Sequence, residues 1–163
     1  MFRALEVMRQ GISVESALEK IVKALPSPIQ DNHLIIIDKY FLHVEEAESE
    51  EYSKAFFDWL IKNRIRDFKI YSKRYSKRNY SFESLLQATC PVQIVCQFEN
   101  AIKSNHDRFW FFSPDYHNYQ VAVPGISFNG FGKQLSTVNP LPEKDIKEIL
   151  MEFNFIPCNN QSQ

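Results

Sequence analysis

The alternation of apolar and polar positions divides this chain into short strands and amphipathic helices. Residues 13–25 read as a helix: Ser13 is placed to cap it, and Val14, Ala17, Leu18, Ile21, Val22 and Leu25 recur at helical spacing before Pro26 and Pro28 end it. The residues before Gly11 are expected to add another helical turn or two. Residues 33–37 form a continuous, Ile-rich apolar run, the pattern of a buried strand. Residues 48–63 carry Tyr52, Ala55, Phe56, Trp59 and Leu60 on one face of a helix. Further strands are expected at 68–71, 91–98, 108–112 and 119–123, with Val92, Ile94, Cys96 and Phe98 alternating strictly in the second of these. A short helix is expected at 81–89. A last one, at 141–153, carries Ile146, Ile149, Leu150 and Phe153.

Strands alternate with helices through residue 98, and the last two strands lie close enough in sequence to form a hairpin. This order predicts an α/β domain whose mixed sheet is flanked by helices. A length of 163 residues fits one such domain. Residues 1–28 have their own apolar stripe and are expected to form an N-terminal helical docking segment, against the domain itself or a larger protein partner. Residues 30–156 are expected to be the domain proper, and 157–163 a polar tail.

Composition adds an aromatic core, with 14 Phe, 7 Tyr and 2 Trp. The net charge of −1 excludes a global pull toward nucleic acid or membrane, but the charge is uneven. Glu45, Glu46, Glu48, Glu50 and Glu51 crowd one segment. The next is basic, and its Lys69, Lys73, Arg74, Lys77 and Arg78, interleaved with Phe68, Tyr71 and Tyr75, make a secondary patch of the kind that binds single-stranded nucleic acid. The plainer account is a solvated helix end and loop, neutralised by the acidic stretch before it. Cys90, Cys96 and Cys158 have no metal-ligand spacing, and His33, His43 and His117 pair with no cysteine motif, so no metal or other cofactor is expected. No apolar run is long enough to span a bilayer, and a cytoplasmic location is expected.

The candidate chemistry lies in two segments. Asn105-His106-Asp107-Arg108 places an imidazole and a guanidinium two residues apart, on one side of an extended chain, a suitable pair for a phosphate group. Seventeen residues after Arg108 comes Gly125-Ile126-Ser127-Phe128-Asn129-Gly130-Phe131-Gly132-Lys133. If this turn folds back beside the first segment, Ser127, Asn129 and Lys133 join one anion pocket. It is no Walker loop, because Gln134 follows the Lys, and it lacks the third Gly of a dinucleotide fingerprint. Simpler roles are an ion pair of Arg108 with Asp107, Asp115 or another acid, and Gly130 and Gly132 that only supply positive φ.

Taken in order, these segments resemble the phospholipase D superfamily, and more narrowly the phospholipase-D-like domain at the carboxy-terminus of MIT-domain proteins and its small bacterial relatives. The opening strand running into Asp38-Lys39-Tyr40 is similar to the "apolar strand, Asp, x, Tyr" start of such domains. His106-Asp107-Arg108 resembles their signature, and Gly125 to Asn129 stands where they carry a Gly-Ser-x-x-Asn-like segment. The resemblance implies a homodimer with a His from each subunit at a shared cleft, His106 attacking phosphorus and Arg108 and Asn129 holding its oxygens. Two positions depart from the active pattern: Arg108 replaces a Lys, and Ser113 stands where an Asp is expected. The function these features imply is a phosphodiester- or phosphoanion-binding module. It is expected to be catalytically degenerate and to act as a homodimeric subunit or adaptor of a larger assembly, with a defence role suggested by such relatives. The alternatives are an active metal-independent phosphodiesterase or nuclease that uses His106, and a purely structural interaction protein.

Overall fold

The computed structural model describes residues 5–74, 79–101 and 108–153. Its frame is a mixed seven-stranded sheet with four helices, an α/β fold. In chain order the elements are β1 (Glu6–Met8), α1 (Val14–Lys23), β2 (His33–Ile37), α2 (Ser49–Lys62), β3 (Asp67–Ser72), α3 (Phe82–Thr89), β4 (Val95–Asn100), β5 (Phe109–Ser113), β6 (Gln120–Pro124), β7 (Ser136–Pro140) and α4 (Glu143–Phe153). Short 3-10 turns precede α2 and follow β6. The strands run β1-β7-β6-β5-β2-β3-β4 across the sheet. β2, β3 and β4 are parallel, and the remaining neighbours are antiparallel.

Register fixes which side chains share a face. Ile36 of β2 lies opposite Ile70 of β3 and Trp110 of β5, and Leu34 opposite Phe68 and Phe112. This face packs with α1, α2 and α3 into the main core, where Phe41, Phe56, Trp110, Phe128 and Phe131 are all essentially inaccessible. The other face presents Ile35, Ile37, Phe109, Phe111 and Val121, which pack with Ile146 and Leu150 of α4 in a smaller core. The continuous apolar run of β2 follows from its central place, since both of its faces are covered.

Ser13 caps α1 as its sequence predicts, accepting the Ser16 N–H at 3.0 Å. The stripe of this helix (Val14, Ala17, Leu18 and Ile21) is buried in the main core of the same chain. Ahead of it the chain is extended rather than helical: β1 pairs antiparallel with β7, a strand that local pattern does not announce because Val138 is its one fully buried side chain. The segment 91–98 is not one strand. The Ile94 N–H closes a turn onto the Pro91 carbonyl at 3.0 Å, Val92 is fully exposed, and β4 starts at Val95.

The Gly-rich segment is joined to the N-terminal piece through Gly132. Its carbonyl accepts the Gly11 N–H at 2.8 Å, its φ is +83°, and a Cβ there would collide with the Ile12 carbonyl oxygen. Gly130 has no positive φ, and a Cβ would make ordinary contact with Ile126 at 3.5 Å. Of the two glycines, only Gly132 is needed for its backbone conformation. Gly132→Ala is therefore expected to lose about 1–3 kcal/mol in urea denaturation, whereas Gly130→Ala stays within about 1 kcal/mol of the parent. Equal losses would contradict the assignment.

Candidate functional site

The site is built around Asp38, the residue that ends β2. Its carboxylate has no solvent exposure. One oxygen accepts the Ser127 hydroxyl at 2.7 Å and the Tyr40 N–H at 3.0 Å, and the other accepts the Phe128 N–H at 2.8 Å. Burial pushes the Asp38 carboxyl above its ordinary value, while the hydrogen bonds from Phe128, Ser127 and Tyr40 and the charge of Arg108 pull the other way. Phe128 and Phe131 anchor the turn from below: the Phe128 ring stacks on Phe41 at 4.4 Å, and Phe131 stacks on Trp110 at 5.8 Å. The Tyr52 hydroxyl donates to the Phe131 carbonyl at 2.8 Å.

Arg108 enters from the start of β5. Its Nε donates to Ser127 Oγ at 3.0 Å and its Nη1 to the Gly125 carbonyl at 3.3 Å. The Gly-rich turn therefore does fold back beside residue 108. Among the described residues the partner of Arg108 is this turn rather than Asp115, and Asp38 is reached through Ser127. Of the five N–H groups of a guanidinium, these bonds use two, and the other three have no partner among the described residues. They border a shallow, open depression rimmed by Tyr40, Ser127, Asn129 and Gln134.

The other expected pocket groups divide. Ser127 gives its one hydroxyl proton to Asp38 and accepts from Arg108, so it orients the guanidinium and has no proton left for a ligand. Asn129 is at the rim, its side-chain amide donating to the His43 carbonyl at 3.3 Å. Lys133 is not brought to the depression: it pairs with Glu48 ahead of α2 and lies 5.8 Å over the Tyr52 ring. His106 and Asp107 lie outside the described residues, as do Lys77 and Arg78.

Of the expected basic patch, Lys69, Lys73 and Arg74 are among the described residues. Lys69 projects from the opposite face, opposite Ile35, and pairs with Glu99 at 3.9 Å. Arg74 is held by Glu83 at 3.0 Å and by the Phe98 carbonyl at 2.9 Å. Lys73 is exposed just past β3. Ser113 lies at the far end of β5 and, an odd number of residues from Arg108, on the opposite face. Its hydroxyl accepts the N–H groups of Asp115 and Tyr116 in the β5–β6 turn.

Sequence reasoning passed over Asp38 and Tyr40 as site residues, although both belong to the strand-end pattern. The available signal was an acid directly after four apolar β2 residues, a position where a carboxylate is buried and needs partners. His43, in edge contact with Tyr40 at 5.3 Å between ring centroids, is held below its ordinary value chiefly by burial.

Two variants separate the carboxylates. Asp38→Asn leaves one acceptor oxygen for three donors and is expected to lose about 3 kcal/mol in urea denaturation; an unchanged midpoint would contradict the buried cluster. Asp115 is pulled down to about 2 by the N–H groups of Asn118 and His117 and by the side chains of Asn118 and Ser113. A depressed carboxyl adds stability above its unfolded value and loses it as pH falls toward the folded value. The stability gap between wild type and Asp115→Asn should therefore shrink from pH ~4 to pH ~2, read by urea melts across that range.

Neither a family model nor a curated protein matches the chain. Among solved structures, the crystal structure of a polyphosphate kinase from Porphyromonas gingivalis is similar over 93% of this chain, at 10% identity and a TM-score of 0.44. The chain spans 22% of that kinase's length. A likeness this loose says nothing of chemistry.

Proposed function

We propose that this chain is a phosphoanion-binding module, with Arg108 as the ligand-facing cation. The observation that carries the reading is the guanidinium itself: two N–H groups are spent on fixing it to Ser127 and Gly125, the other three have no partner among the described residues, and Arg108 lines an open depression. A guanidinium held in place by its own protein loses little freedom on engaging a phosphate, and its planar fork matches two phosphate oxygens. His106, two residues upstream, is the natural second group, as the resemblance to phospholipase-D-like domains implies. On the same resemblance the module acts as a homodimer that places one such site from each subunit at a common cleft, and it serves as a subunit or adaptor of a larger assembly.

Catalytic degeneracy is part of the reading. Arg108 stands in place of an ammonium and is already engaged by the turn. Position 113 holds a serine occupied by the β5–β6 turn. A purely structural role for Arg108 is the rival, favoured by the same two bonds to the turn.

Direct binding decides between them. Labelled single- and double-stranded DNA and RNA, and vesicles containing an anionic phospholipid, are titrated in EDTA with wild type, Arg108→Ala and His106→Ala. Affinity for at least one probe should fall as salt rises and drop roughly tenfold in Arg108→Ala. Absence of binding to every probe would leave the structural role. Cleavage that His106→Ala abolishes would replace the binding module with an active phosphodiesterase. Light scattering should give twice the chain mass, and a strict monomer would contradict the shared cleft.

A further inference from the structure

The smaller helix-covered face is only partly shielded: α4 packs over β2, β5 and β6, while the β3–β4 side of that face carries polar residues. There Asp67 and Lys69, two residues apart on β3, project to the same side, about 6.6 Å apart along the strand. They border a cavity of about 140 Å³ with Ile35, Val95, Gln97 and Tyr116. The volume is well below the ~300–1,000 Å³ of pockets that take drug-sized ligands, so it has room only for a small molecule.

The negative end of this cavity is pre-set. His33, opposite Asp67 in the register, donates from Nδ1 to Asp67 Oδ2 at 2.8 Å, and Tyr116 stacks on the imidazole at 3.9 Å between ring centroids. The Tyr116 hydroxyl donates to Asp67 Oδ1 at a long 3.4 Å. Tyr116 keeps this position at a φ of +63°, imposed by the turn whose N–H groups bond Ser113 and Asp115. The positive end is looser: Lys69 is 3.9 Å from Glu99, beyond hydrogen-bond length, and its ammonium lies 5.4 Å over the Tyr71 ring. The Gln97 side chain has no hydrogen-bond partner among the described residues and is at hand for either end of a ligand. The side chains of Asp67 and Lys69 are 30% and 26% exposed, reachable yet partly withdrawn from water, where paired charges gain more than at a free surface.

We infer that this cavity binds a small zwitterion, a free α-amino acid, with its ammonium group on Asp67 and its carboxylate on Lys69. A fixed carboxylate and an ammonium held only by a long ion pair and a ring face, set two residues apart, complement a ligand that carries both charges on one carbon. A simple amine or a simple acid would engage only one of the two. Val95 and Ile35 supply apolar wall for a modest side chain. The site is separate from Arg108, which lies on the other face and at the other end of the strands.

The test is a titration of the isotope-labelled full chain with each of the twenty free amino acids, following the amide resonances of Lys69, Val95 and Gln97. At least one amino acid should shift them saturably. Its amide derivative, lacking the carboxylate, and its des-amino acid, lacking the ammonium, should bind roughly tenfold more weakly or worse. Lys69→Gln and Asp67→Asn should each weaken binding by a similar factor, and Arg108→Ala should leave it unchanged. If Asp67→Asn fails to fold without His33's partner, Lys69→Gln, a partly exposed change, decides alone. No saturable shift with any amino acid at about 10 mM, or undiminished binding in Lys69→Gln, would overturn the inference.

Discussion

A single buried carboxylate organises the end of the fold where β2 meets the Gly-rich turn. Asp38 has lost its water, and a carboxylate in that position is tolerated only when donors surround it. The three donors come from two places: Tyr40, in the chain just beyond β2, and Ser127 and Phe128, in the turn after β6. Asp38 therefore pins a loop distant in sequence against the end of the central strand. Through the Ser127 hydroxyl it also fixes the direction of Arg108, since that oxygen gives its proton to Asp38 and offers its lone pair to Nε. The cost of burying the charge, visible in the upward pull on its carboxyl, is offset only in part by these charge-assisted bonds.

The aromatic core makes that arrangement stiff. Phe128 and Phe131, on either side of Asn129 and Gly130, plunge into rings from α2, β5 and the loop after β2. The turn is held by its apolar residues below and by Asp38 at its side, which leaves Asn129 and the guanidinium of Arg108 at the surface. Lys133 falls just past this clamp and turns away to Glu48. The sheet then separates two regions of different chemistry. Near the carboxyl end of β2 lies the guanidinium of Arg108, and near the amino ends of β2 and β3, on the other face, lie Asp67, bonded to His33, and Lys69, facing Glu99.

The helices and central strands were legible because their patterns are long or their burial is complete. Capping by Ser13, the stripe of α2 and the apolar run of β2 each state their outcome locally. The misses share a cause. β1 and β7 are defined by pairing with each other across most of the chain, and three to five residues carry too little periodicity to announce that. Val92 and Ile94 continue the alternation of β4, but Pro91 starts a turn that no period can reveal. In the site, Arg108 and Ser127 were readable as neighbours from the returning Gly-rich turn. That Ser127 would give its proton to Asp38 was not, because the choice of partner depends on a contact across 89 residues.

The most direct test of the account is carbon-13 NMR of the Asp38 carboxyl group across an acid titration, with the Arg108 Nε–H resonance followed in the same samples. Asp38 should titrate above the ordinary aspartate midpoint of about 3.9, and the Arg108 signal should move with it, because Ser127 links the two. A midpoint at or below the ordinary one, with an Arg108 signal indifferent to it, would contradict the claim that this buried acid builds the site.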